Sequence, residues 1–193
     1  MTTVHKLLLI PHLPAEEVDF ILDEAGFIFQ DNSSAAGQVE QTHYIFPDGT
    51  NLYLFVDSVT GVTIFEIYGT ETSMTLEALE STFIVLDIGE TLVRAEKTIL
   101  TSDRQYYLFG LGLIADQLGS EKIAAALSGF SQDKNPLIRR AAVLAMGYTG
   151  YRRFLSTLDD IAQDEDERVR DIVEISRELI NKSVNRAVPM NAE

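Results

Sequence analysis

Six basic and aromatic side chains gather within one short stretch of an otherwise acidic chain: Arg139, Arg140, Tyr148, Tyr151, Arg152 and Arg153. Arginine and tyrosine combine apolar contact area with hydrogen-bond donors, and both are enriched at the centres of protein interfaces. The six therefore make a candidate partner-binding patch, against the plainer alternative of a solvated helix face. Other residue types that could do chemistry are arranged less suggestively. His5, His12 and His43 are the only histidines, and none forms a close-spaced ligand pair of the HExxH kind, so a zinc site would have to be assembled in space. The run Asp159, Asp160, Asp164, Glu165, Asp166, Glu167 has the composition of a cation site but not the glycine and alternating ligands of an EF-hand loop. A solvated turn is the expectation there. Gly110 and Gly112 lie inside a helical pattern, where close packing explains them better than phosphate binding. No nucleophile elbow, phosphate loop or set of acid, base and nucleophile is present, and no metal or cofactor is implied.

With no cysteine, thiolate ligands, disulfides and cysteine nucleophiles are excluded. Fifteen Lys and Arg against 30 Asp and Glu give a net charge of −15, which repels phosphate backbones and anionic lipid. Nucleic acid and membrane insertion are therefore not expected. The apolar run Leu7 to Ile10 is too short for a signal peptide, and no stretch approaches the ~20 residues that span a bilayer. The expected location is the cytoplasm. Lys6 is the only Lys or Arg before residue 73 and stands against eleven carboxylates there, so the first segment carries −10 of the total. Such a surface either solubilises the chain or docks a basic partner.

The elements that must position these residues fall into two kinds. Val4 to Ile10 is strand-like, and Ala15 to Ala25 has helical spacing of Val18, Ile21, Leu22 and Ala25 after Pro14. A polar cluster at Asn32 to Gly37 reads as a turn. Strand signals then recur at Val39 to Phe46, Leu52 to Val56 and Val62 to Tyr68, joined by short turn-forming links, which predicts an antiparallel meander. From Ser73 onward the period becomes helical. Gly89 to Asp103, Gly119 to Asp133 and Gly150 to Asp164 superimpose without gaps, at spacings of 30 and 31 residues. Val93, Ile123 and Phe154 align, as do Leu100, Phe130 and Ile161, with Lys97 departing from Leu127 and Leu158. Each unit is a helical hairpin of about 30 residues.

The stretch from Asp133 through Asn135-Pro136, Arg139-Arg140 and Ala141 to Gly150 resembles a HEAT-like repeat of the phycobilisome-lyase type, and Val169-Arg170 after Asp164 matches the same pattern. The resemblance covers about residues 73 to 180. It implies a ladder between repeats made by an Asp at the start of a helix and an Arg six residues on, which Asp133 with Arg139 and Asp164 with Arg170 fit. Asp103 has Phe109 in that place, so the ladder is expected to break there and the first repeat to be atypical.

The expected architecture is a small α+β domain with a mainly antiparallel sheet over 1–72, an all-α HEAT-like α-solenoid of three to four hairpins over 73–182, and a flexible tail over 183–193. The expected function is that of a non-catalytic adaptor, assembly factor or regulator that binds a protein partner through the repeat surface. The resemblance adds an alternative, a bilin lyase or chaperone acting on a phycobiliprotein or tetrapyrrole. Homo-oligomerisation through an uncapped repeat or a sheet edge stays open.

Overall fold

The computed structural model describes residues 3–10, 13–35, 39–115 and 120–186, and divides into two compact units, Met1–Glu90 and Thr91–Glu193. The first unit holds β1 (Thr3–Ile10), α1 (Ala15–Glu24), β2 (Ile28–Ala35), β3 (Val39–Ile45), β4 (Asn51–Asp57), β5 (Thr63–Gly69), α2 (Ser73–Thr82) and β6 (Ile84–Leu86). The strands form one antiparallel sheet in the order β2-β3-β4-β5-β1-β6. Strand periodicity puts Leu7, Leu9, Leu52, Leu54, Phe65 and Ile67 on one face, where they bury Val18 and Leu22 of α1 and Leu79 of α2.

Two features depart from the sequence expectation. Asn32 to Ala35 are not a turn but the second half of β2, an edge strand whose polar residues have low strand propensity and extend because they pair residue by residue with β3. Only residues 36–37 of that cluster lie outside the described residues. The chain also divides at Glu90 rather than after residue 72, because Leu79 and Phe83 enter the sheet's core and β6 pairs with β1.

The second unit continues α3 (Ile88–Lys97) with α4 (Thr101–Ile114), α5 (Glu121–Phe130), α6 (Pro136–Thr149), α7 (Phe154–Ile161) and α8 (Glu167–Arg186). The last helix runs four residues into the segment expected to be a flexible tail; residues 187–193 lie outside the described ones. Helix α6 packs against both α4 and α8, while α5 contacts α6 and α7 contacts α8.

Small residues set how closely the inner helices approach. A Cβ on Gly112 of α4 would stand 2.6 Å from the Ala145 carbonyl oxygen, and one on Gly147 of α6 would stand 2.8 Å from the Ser176 Cα. Backbone cannot yield as a side-chain tip does, so alanine at either site must push two helices apart. Gly129 of α5, by contrast, has no neighbour within 4 Å of a built Cβ. Gly112→Ala and Gly147→Ala should each lower stability by about 2 kcal/mol, whereas Gly129→Ala should raise it by about 0.5 kcal/mol. Urea unfolding followed by far-ultraviolet circular dichroism checks the opposite signs.

Candidate protein-binding site

The candidate patch divides when its residues are placed. Arg139 is 7% exposed and belongs to the interior. Its Nε and Nη2 donate to the two carboxylate oxygens of Asp164, each at 2.8 Å, and its Nη1 donates to the carbonyls of Asp133 at 3.0 Å and Lys134 at 3.3 Å. These bonds hold the Asp164 carboxyl below its ordinary value and raise the guanidinium's. Tyr151 is buried too; its ring stacks on Phe154 and its hydroxyl accepts from the Ser120 amide at 3.3 Å. Neither side chain can meet a partner without unpacking the repeats. Arg140 and Arg152 are exposed, Tyr148 is half-buried, and Arg153 lies 5.6 Å from the Tyr151 ring centre while donating to Glu121.

Of the six, Arg153 borders a shallow groove of about 250 Å³ between α5 and α7, lined also by Ala124, Ala125, Ser128, Phe154, Thr157 and by Glu121, to which Arg153 is paired. Its small side chains leave room for the side chains of another chain. Glu121 was not among the sequence candidates, since nothing in its local context marks it.

The turns before α6 and α8 repeat at the level of single atoms. Asp133 accepts from the Asn135 amide and Asp164 from the Asp166 amide, both at 2.8 Å; Asn135 then caps Leu137 and Asp166 caps Arg168. The Asp166 carboxyl is lowered to about 2, first by its bond from the Arg168 side chain. The acidic run around it is thus tied up by arginines: Asp164 by Arg139, Asp166 by Arg168 and Asp159 by Arg177. Among the described residues no group of three His, Asp or Glu could hold a metal. His12 lies outside them, His5 meets Thr72, and His43 meets Asn51.

Arg104, Arg139 and Arg170 each donate to the backbone carbonyl six residues earlier, on Thr98, Asp133 and Asp164. The repeats are therefore offset by 35 residues (104 to 139) and then 31 (139 to 170), not by 30 and 31. The same shift pairs buried Leu92 with Leu127 and buried Ala95 with Phe130, leaving Val93, Lys97 and Leu100 of the gapless alignment exposed. The ladder accordingly does not break at Asp103, which sits inside the first turn of α4; its first rung is Arg104 to Asp133, at a looser 3.7 Å. Residues 101–176 match the family model of HEAT repeats. The match runs from the first residue of α4 to the Ser176 contact of α8, and HEAT repeats generally mediate protein–protein interaction. No curated protein matches the chain.

Removing one partner of a buried ion pair strands the other. Arg139→Met, at the middle of the three arginine positions, should therefore cost about 3 kcal/mol. Arg170→Met, at the same repeat position but exposed and bonded to carbonyls alone, should cost less than about 1 kcal/mol. Denaturant unfolding of both variants tests the contrast.

The pair also sets an acid limb. Because the folded Asp164 carboxyl lies below its ordinary 3.8, the unfolded chain binds the proton more readily. The pair's contribution is complete above that value and is lost as pH falls through it toward the folded one. Stability measured from about pH 5 downward should fall more steeply in the wild type than in Arg139→Met.

Proposed function

We propose that the protein is a non-catalytic adaptor, assembly factor or regulator, that α3 to α8 form a short HEAT-like α-solenoid of three hairpins, and that the surface of this solenoid holds a protein partner. The observation that carries the reading is the use to which the charged chemistry of the second unit is put. Arg139 and Asp164 are locked in the ladder, Asp166 in a cap, and Arg104 against the next turn. The polar groups that could serve catalysis there are engaged in holding helices at fixed spacing. A stack fixed in that way presents a rigid surface, which lowers the ordering cost of binding.

The surface in this reading comprises the α5–α7 groove, with Arg153 at it, and the exposed guanidinium groups of Arg140 and Arg152. Arg140 and Arg152 make no ion pair among the described residues, and Arg153 reaches its partner Glu121, which is itself largely exposed, at the groove's rim. Exposed arginines on the same unit as a groove lined by alanine and serine suit a partner segment that carries carboxylates beside small apolar side chains. Bilin lyase or chaperone activity rests on the sequence resemblance alone and is the secondary reading.

Affinity capture from native lysate, followed by binding of the purified candidate, tests the assignment. Arg140→Glu with Arg152→Glu should weaken the isolated complex at least about tenfold without lowering thermal stability. A partner bound equally by wild type and variant would remove the arginines from the interface. Widening Ala125 to Glu should weaken the same complex if the groove is part of it.

A further inference from the structure

The division at Glu90 changes the meaning of the charge. One lysine against fifteen carboxylates leaves residues 1–90 with −14, whereas fourteen Lys and Arg against fifteen carboxylates leave residues 91–193 with −1. The lysine, Lys6, is already bonded to Glu66 at 2.5 Å, and the first unit has no other Lys or Arg of its own with which to neutralise its surface.

Much of that charge surrounds exposed apolar side chains. Helix α1 buries Val18 and Leu22, and the opposite side of the helix presents Phe20, which is 63% exposed. Helical spacing puts Glu16 and Glu17 one turn before Phe20 and Asp23 and Glu24 one turn after it, and all four are exposed. Beside α1 on the same face of the sheet lies Phe29 of β2, 56% exposed. Its ring meets Tyr44 edge-on at 6.1 Å, and the Tyr44 hydroxyl donates to Asp19 of α1. One exposed phenylalanine thus sits among four exposed carboxylates, and a second lies on the sheet next to Tyr44, which is bonded to the same helix.

We propose that the outward face of α1, with Phe29 beside it, docks a cationic amphipathic helix of a partner protein, apolar side chains against Phe20 and Phe29 and lysines or arginines against Glu16, Glu17, Asp23 and Glu24. The charge complementarity fixes the sign of the partner, because four neighbouring carboxylates without an ion pair among the described residues repel one another until a cation enters. Burial of the phenylalanines supplies the short-range part, which a plain polycation would not collect. A helix is the fitting occupant rather than an added strand. The Gln30 side-chain amide folds back at the β2 bulge to donate to the carbonyls of Ile28 and Phe29, each at 3.2 Å, occupying acceptors that an incoming strand would need.

The test uses the full-length protein and a fluorescent synthetic amphipathic helix of leucine, lysine and arginine, read by anisotropy at physiological salt. Saturable binding is expected, with Kd raised at least about tenfold by Phe20→Ser and by the combined Glu16→Gln, Glu17→Gln, Asp23→Asn and Glu24→Gln variant. The second variant should also flatten the salt dependence. A variant of equal charge change elsewhere on the unit, Glu40→Gln, Glu71→Gln, Glu77→Gln and Glu80→Gln, should bind within about twofold of wild type. No saturable binding, equal loss in both charge variants, or indifference to Phe20→Ser each overturns the proposal. So does concentration-dependent self-association in sedimentation that Phe20→Ser abolishes, since the occupant would then be a second copy of this chain.

Discussion

Burying the Arg139 guanidinium is the step on which the helical unit turns. A charge taken from water costs several kcal/mol before any partner is counted. The protein offsets that by surrounding it with Asp164 in a two-pronged bond and with two carbonyls that the turn before α6 would otherwise leave unsatisfied. One side chain therefore closes the turn of its own repeat and clasps the turn of the next. Asp164 can receive it only because its other interactions, with the Asp166 amide and through its carbonyl with Arg170, hold the turn in place. The spacing of 31 residues between these turns follows from that clasp.

Close helix approach depends on the same geometry. Gly112 meets Ala145, and Gly147 meets Ser176, whose hydroxyl also donates to the Val143 carbonyl across the interface. Ala145 and Ser176 are 31 residues apart, as Arg139 and Arg170 are, so ladder and seam share one register. At the first step the ladder is weaker. Thr98 and Leu100 stand where Asp133 and Asn135 stand in the next turn, so α4 starts without a side-chain cap, and the Arg104 Nε is buried without an acceptor. Tight packing at Gly112 accompanies a loose rung at Arg104. In the interior of the array both are tight.

Much of this was legible in the sequence, and the failures are instructive. The strands of the meander and α1 announce themselves through alternation and through Pro14 and the acidic first turn. The α5–α6 and α7–α8 hairpins follow from residues 119 to 175, where the offset of 31 is correct. The first offset failed because a glycine and an aspartate fourteen residues apart recur by accident at Gly89 and Asp103. The signal that identifies the true offset was present: Arg104 to Arg139 and Gly112 to Gly147 are both separated by 35. Strand β2 was hidden for a different reason, since an edge strand with polar residues on both faces has no alternation to read. Of the site, composition showed that arginine and tyrosine gather around residue 150, but burial decides which of them can touch anything, and burial is tertiary.

Charge segregation then separates two kinds of arginine-carboxylate chemistry within one chain. In the helical unit opposite charges are nearly balanced, and the buried ones are matched pairwise, so they act over a few ångströms and resist screening. In the sheet unit Glu16, Glu17, Asp23 and Glu24 of α1 are exposed with no ion pair among the described residues, and their field extends over about a Debye length before salt removes it. The first arrangement fixes helix spacing; the second can steer an approaching cation before contact. Phe20 supplies what long-range attraction lacks, since an aromatic ring must be met by a complementary surface at van der Waals distance to contribute. A partner that satisfied only the carboxylates would dissociate as salt rose, whereas one that also covered Phe20 and Phe29 would keep an apolar contribution that salt does not screen.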